Sequence, residues 1–144
     1  GSSVRTKSGN DIDIWALGIM HETAEKLALR LSEHDINAGV INARFVKPID
    51  RNLILKSASQ TKLIITLEDG VLNGGFGSAL LEVLDEENIF CPVERIGWPD
   101  QFIDHGTSVK QLRETVGLDL ETILNRILKR LNESDNSAPE VQIR

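Results

Sequence analysis

The sequence has one cysteine, Cys91, which excludes a disulfide framework and a thiol metal site. Placed before Pro92 in an apolar setting, Cys91 reads as a small packed residue. Histidine is equally scarce: His21, His34 and His105 lie far apart, with no i, i+4 partner of metal-ligand type. No apolar run reaches membrane-spanning length, and no charged start followed by an apolar core marks a secretory signal. Lys and Arg are nowhere clustered, and the net charge of -6 argues against a nucleic-acid surface. Gly-Lys-Ser/Thr does not occur, so a phosphate-loop lysine is missing. There are no internal repeats or low-complexity tracts. A cytoplasmic location fits these absences.

What is present is an ordinary globular composition over 144 residues, enough for one domain that buries about 68–70% of its unfolded surface. Gly1-Ser2-Ser3 reads as a tag or linker remnant, and Val4-Arg5-Thr6 as a short edge strand within residues 1–10. From Asp11 to Leu17, Ile12, Ile14 and Ala16 alternate with Asp11, Asp13 and Trp15, a strand that Gly18 ends. Met20, Ala24, Leu27, Ala28 and Leu31 share one helical face. Ala38 to Ala43 is a strand of the parallel type. Pro48 biases Lys47 away from helical dihedrals. Asp50 then caps a helix from Arg51 to Gln60, expected to bury Leu53, Ile54 and Ala58.

The stretch from Leu63 to Leu84 organises the chain. Leu63 to Leu67 is a continuous apolar run, read as a buried strand. Glu68 and Asp69 follow, then a loop holding Gly70, Gly74, Gly75 and Gly77. Phe76, Leu80, Val83 and Leu84 mark the helix beyond it. A last strand, Pro92 to Gly97, precedes the break Gly97-Trp98-Pro99-Asp100. Ser108 with Gln111 forms a capping box for a helix through Val116, closed by Gly117. Asp119 caps a final helix of period 3.6, from Leu120 to Leu131. The polar tail, 132–144, is expected to be disordered. Alternating strands and helices imply a three-layer α/β/α domain with a mostly parallel sheet over 11–131.

Strand, glycine loop and helix can aim backbone N–H groups at an anion. This loop fails the dinucleotide fingerprint, because Gly75-x-Gly77-x-x-Leu80 puts leucine where close packing needs a small residue. A backbone or interface loop dictated by Gly74, Gly75 and Gly77 is the preferred reading. Glu68 and Asp69 either hold a cation or accept loop N–H groups, the second being preferred. His105, between Asp104 and Gly106, either orients its loop or serves as an acid-base group at a domain boundary; the first is preferred. Asp100 after Pro99 reads as a turn residue. Arg44 and Lys47, flanking Phe45 and Val46, are either a solvated edge or a basic rim around apolar interface anchors. The residues alone therefore give a Rossmann-like α/β domain without a complete active site.

Four segments carry a resemblance: NARFVKPID (Asn42 to Asp50), LEDGVLNGGFGSALLEVL (Leu67 to Leu84), RIGWPDQFIDHG (Arg95 to Gly106) and LRETVGLD (Leu112 to Asp119). In this order they resemble the C-terminal domain of the 1-deoxy-D-xylulose-5-phosphate synthase family, within the transketolases, over nearly all of Asp11 to Leu131. The sibling C-terminal domains of transketolase and of the 2-oxoacid dehydrogenase E1 β subunit are poorer matches. The resemblance implies a five-stranded mixed sheet whose first strand is antiparallel. It also implies that the Asp11–Leu17 strand lies beside the Leu63 strand. A switch-point crevice would then open between Gly18-Ile19 and the Glu68–Gly75 loop.

For the whole protein the resemblance implies a homodimeric transferase using thiamine diphosphate and magnesium. It would join pyruvate and glyceraldehyde 3-phosphate with loss of CO2, feeding isoprenoid, thiamine and pyridoxine synthesis. It would be cytoplasmic, or plastid-targeted if the full gene encodes a transit peptide. The family's cofactor-binding and proton-transfer residues lie in preceding domains, so no catalytic, cofactor or metal residue is assigned to this chain. Its expected role is packing against those domains and a second subunit, with the glycine loop and the Arg44–Lys47 patch as contacts. A free-standing module binding a small ligand in the crevice is the rival reading.

Overall fold

A computed structural model of the chain describes residues 1–103 and 106–136. The elements run β1 (Val4–Lys7), β2 (Ile12–Leu17), α1 (Met20–Ser32), β3 (Ala38–Asn42), α2 (Arg51–Gln60), β4 (Leu63–Val71), α3 (Phe76–Glu86), β5 (Val93–Trp98), α4 (Val109–Thr115) and α5 (Leu120–Asn136). They form one five-stranded sheet in the order β1-β3-β2-β4-β5. β1 is antiparallel to β3 and the other pairings are parallel, as the resemblance implied.

Helices cover both faces, which is why the inner strands read as apolar runs. α1 and α5 bury Leu27, Leu31, Ile123 and Ile127 against Ile12, Ile14, Leu63 and Ile65. α2 and α3 bury Ile54, Phe76, Leu80 and Leu84 against Trp15, Ile41 and Ile64, and Cys91 packs in this second core. Burial raises the Cys91 thiol pKa, consistent with a packed residue and not a reactive one.

The capping expectations hold at three helices. Asp50 accepts from the Leu53 N–H at 3.2 Å, Ser108 and Gln111 form the reciprocal box, and Asp119 accepts from the Thr122 N–H at 3.1 Å. The hydrogen bond with Thr122 lowers the Asp119 pKa.

Three expectations are corrected. In α2 it is Ser57, with Ile54, that is fully buried, whereas Leu53 and Ala58 are half-buried. α5 continues to Asn136, into the stretch expected to be a disordered tail; residues 137–144 lie outside the described residues. β4 does not stop at Leu67 but pairs on to Val71, opposite Trp98 of β5, through a register shift. The two acids and Gly70 thus belong to the strand.

Ser57 is buried because of a polar network that crosses the sheet. Asp13 is fully buried in β2. Arg5 of β1 donates from Nη1 and Nη2 to its two oxygens at 2.7 and 2.9 Å. Ser57 Oγ donates to Asp13 Oδ2 at 2.6 Å, and Trp15 Nε1 donates to Ser57 Oγ at 3.1 Å. β3 lies between β1 and β2, and Arg5 reaches across it above Gly39. A Cβ there would sit 2.2 Å from Asp13 Oδ1 and 2.6 Å from Arg5 Nη1.

A buried carboxylate that loses its counter-charge costs about 3–5 kcal/mol. Arg5→Met, which keeps the apolar stem, is expected to lower the unfolding free energy by about 3 kcal/mol, the low end because Ser57 still donates. Adding Asp13→Asn should recover part of that loss. Urea midpoints for the two single variants and the double variant check this. An unchanged midpoint for Arg5→Met would mean that β1 contributes strand pairing alone.

Candidate functional site: the switch-point crevice and its edge

β2 feeds α1 and β3 on one side of the sheet, while β4 feeds α3 and β5 on the other. The carboxyl ends of β2 and β4 are therefore the topological switch point. A crevice of about 360 Å³ opens there, walled by Leu17, Gly18, Ile19 and Val46 on one side and by residues from Glu68 to Phe76 on the other. This is the place that the resemblance implied.

The side of the crevice formed by β4 and the glycine loop is built around a carboxylate. Glu68 is 2% exposed, and its Oε2 accepts the Phe76 N–H at the start of α3. The helix N-terminus that could have bound a foreign anion is occupied by the chain's own. Burial raises the Glu68 pKa, and the hydrogen bonds from the Phe76 and Gly77 amides and the charge of Arg95 oppose that rise. Oε1 has no hydrogen-bond partner and lies under Gly75.

Each loop glycine has its own reason. Gly74 takes left-handed backbone, φ +71°, which glycine adopts without steric cost. Gly75 has ordinary dihedrals, but a Cβ there would lie 2.5 and 2.7 Å from the Glu68 oxygens and 2.6 Å from the Val71 carbonyl oxygen. Gly77 is a close approach of α3 to the sheet, 2.7 Å from a built Cβ to Thr66 Oγ1.

Asp69 accepts from two side chains. Trp98 Nε1 donates to its Oδ1 at 2.6 Å, and Arg113 Nη2 to its Oδ2 at 2.9 Å. It thereby ties β4, β5 and α4 together. The N–H-accepting reading thus holds for Glu68, while Asp69 has partners that sequence spacing does not reveal. Asp100 accepts from Asn73 Nδ2 at 3.2 Å, which links the loop after β5 to the glycine loop. Asp104 and His105 lie outside the described residues.

Residues 1–123 match the family model described as "Transketolase, C-terminal domain". The chain belongs to the transketolase C-terminal domain family. The 1-deoxy-D-xylulose-5-phosphate synthase of Heliobacterium modesticaldum is 44% identical over 137 residues, 95% of this chain and 21% of that protein. The synthase of Methylacidiphilum infernorum is 46% identical over 123 residues, 85% of this chain and 19% of that protein. A solved structure described as "Split gene transketolase, inactive beta4 tetramer" matches with a TM-score of 0.83 at 36% identity, over 91% of this chain and 42% of that one. Transketolase from Campylobacter jejuni matches with a TM-score of 0.60 at 14% identity, over 88% of this chain and 18% of that one, which shows the fold alone. The chain thus spans about a fifth of the length of these curated relatives.

In this transketolase C-terminal domain the Arg44–Lys47 segment forms a rim near the crevice. Arg44, Phe45 and Lys47 are exposed, while Val46 is half-buried and packs on the core of α2 and α3. The Arg44 guanidinium lies 5.5 Å from the centroid of the Phe45 ring, a cation–π contact. Arg44 adopts φ +61°, uncommon outside glycine, and its N–H donates to Asn42 Oδ1 at 3.0 Å. The Lys47–Pro48 peptide bond is cis. Phe45 is 46% exposed, so it does not turn into the core.

Two outcomes test the Glu68 pocket. Gly74→Val is expected to cost about 1–3 kcal/mol through backbone strain. Gly75→Val should cost more, because its side chain collides with the carboxylate that caps α3. Denaturant midpoints rank them, and a milder Gly75→Val would show that Glu68 can swing away. The second outcome follows from the raised pKa. The folded state holds the Glu68 proton more tightly than the unfolded state. This contribution to stability is therefore complete below the unfolded carboxylate range and is lost as pH rises through the folded value. Relative to Glu68→Gln, the parent should lose stability as pH rises above the ordinary carboxylate range, read from urea unfolding at a series of pH values; a flat difference would mean that burial does not disfavour the charge.

Proposed function

We propose that this chain is the C-terminal domain of a 1-deoxy-D-xylulose-5-phosphate synthase and that it contributes packing surface, not catalytic groups. The observation that carries this reading is the 44–46% identity along most of the chain to proteins of that name. The whole protein would condense pyruvate with glyceraldehyde 3-phosphate with release of CO2, at the head of isoprenoid-precursor synthesis. It would work as a cytoplasmic homodimer. Among the described residues no helix is long and apolar enough to cross a membrane.

Thiamine diphosphate and Mg2+ would supply the carbanion chemistry and the diphosphate anchor from the domains that precede this one. The side chains described on this chain do not fit that cofactor. The Glu68 carboxylate is held by the start of α3, and Asp69 by Trp98 and Arg113. Among the described residues no three His, Cys, Asp or Glu side chains converge as a metal site. The chain's part would be to present the Arg44–Lys47 rim and the glycine-loop edge to its neighbours, an aromatic flanked by basic groups being suited to an interface.

The test compares this chain with the full-length protein, each given pyruvate, glyceraldehyde 3-phosphate, thiamine diphosphate and Mg2+. The full-length protein should form 1-deoxy-D-xylulose 5-phosphate, while the chain alone stays at the no-protein rate. Phe45→Ala should leave the unfolding free energy of the chain within about 1 kcal/mol of the parent, well short of the roughly 3–5 kcal/mol of a core phenylalanine. In the full-length protein the same change should reduce turnover or dimerisation. Turnover by the chain alone, or none by the full-length protein, would refute the assignment.

A further inference from the structure

Helix α4 is well specified along the chain and weakly anchored across it. The Ser108–Gln111 box closes its start. At its end the Gly117 N–H donates to the Glu114 carbonyl at 3.2 Å and the Leu118 N–H to the Arg113 carbonyl at 2.7 Å. Gly117 takes the left-handed backbone, φ +77°, that this kind of helix stop requires. None of the seven residues of α4 is buried, and none belongs to either core. α1 and α5, by contrast, bury five and four residues.

Open voids lie on both sides of α4. One of about 430 Å³ separates it from α1 and the start of α5, with Met20, Leu118 and Leu120 on one side and Val109, Lys110 and Arg113 on the other. The second, of about 290 Å³, lies between α4 and the segment before it, lined by Phe102, Ile103, Leu112 and Val116. A void leaves the side chains that line it without partner atoms on that side. Seven residues are also well short of the roughly 12–15 at which an isolated helix becomes marginally stable in water. α4 therefore depends on what ties it to the sheet.

That tie is Asp69. Arg113 Nη2 donates to Asp69 Oδ2 at 2.9 Å, while Trp98 Nε1 holds the other oxygen at 2.6 Å. Among the described residues, Arg113 is the one side chain of α4 that bonds to another strand or helix. Its Nε is buried with no hydrogen-bond partner and adds nothing to the hold. Arg113 and Asp69 keep 27% and 30% of their side-chain surface exposed, so water and salt reach the pair.

We propose that α4 is a strap latched by the Asp69–Arg113 ion pair, and that it opens on its own while both cores stay closed. When Arg113 leaves Asp69, α4 unravels and the void beside Met20 and Leu118 opens to water. Asp69 Oδ2 is then left unpaired on the wall of the switch-point crevice. A segment with no buried side chain and one screened ion pair opens at a small fraction of the free energy of global unfolding. Ionic conditions thereby set how often this side of the crevice is released.

Native-state amide hydrogen exchange of this chain, at constant pH, tests the strap. Corrected for intrinsic rates, the amides of Leu112 to Val116 should exchange about a hundredfold or more faster than those of Leu27 and Ile127. Their rate should be nearly independent of dilute urea, to which Leu27 and Ile127 respond. Arg113→Gln should speed exchange in α4 about two- to fivefold, the range of a surface ion pair. Arg126→Gln breaks an ion pair to Glu94 that stays intact when α4 opens, so it should leave α4 exchange unchanged. Raising salt from about 0.05 M to about 1 M should speed α4 in the parent, an acceleration that vanishes in Arg113→Gln. Equal exchange in α4 and at Leu27 and Ile127, or an equal response to urea, would make α4 part of the cooperative unit and overturn the strap. Exchange in α4 that ignores both Arg113→Gln and salt, or that responds as strongly to Arg126→Gln, overturns the latch.

Discussion

A carboxylate held under a helix start organises the functional edge of this domain. Glu68 ends the buried part of β4 and gives an oxygen to the first amide of α3. A charge so far removed from water is costly unless donors face it, and the start of a helix supplies amides that need an acceptor anyway. The loop between them must then be short of side chains. Gly75 carries no Cβ because the carboxylate and the Val71 carbonyl occupy that space, and Gly74 turns the chain through left-handed backbone. The shape of the crevice follows from this closure.

The same closure separates architecture from chemistry. In doubly wound domains the switch point serves ligands through free amides and polar side chains at the strand ends. Here the amides of α3 and the side chains of Glu68, Asp69 and Asn73 are spent inside the chain. The chain's membership of the transketolase C-terminal domain family goes with this closure, which leaves the edge without free catalytic groups among the described residues. The exposed Phe45, with Arg44 over its ring, belongs to that edge as well.

A second buried carboxylate, Asp13, serves the frame and not the edge. It accepts from Arg5 and Ser57, so β1, β2 and α2 are joined through one side chain. Among the described residues β1 is the only antiparallel strand, and it lies outermost on its side of the sheet. A weak edge strand gains from an ion pair that reaches past its neighbour, and Gly39 leaves the gap through which the pair forms.

Much of this was legible residue by residue. The faces of α1, α3 and α5, the caps at Asp50, Ser108 and Asp119, and the run of β4 through Leu67 all depend on residues within a turn or two of one another. Periodicity and spacing therefore determined them. The four resembling segments likewise carried the antiparallel first strand and the pairing of β2 with β4. Tertiary structure decided which polar residues are buried and by whom they are met. The alternation of β2 puts Asp13 off its apolar face, and its burial shows only once Arg5, two strands away, is placed above Gly39. Gly70 reads as loop until β4 is seen to pair on to Val71 opposite Trp98, and Asp69 shows no partner until Trp98 and Arg113 are placed beside it. Such partners come from distant positions, and no local pattern records them, because an ion pair or a strand end is stabilised by whatever the fold brings within about 3 Å.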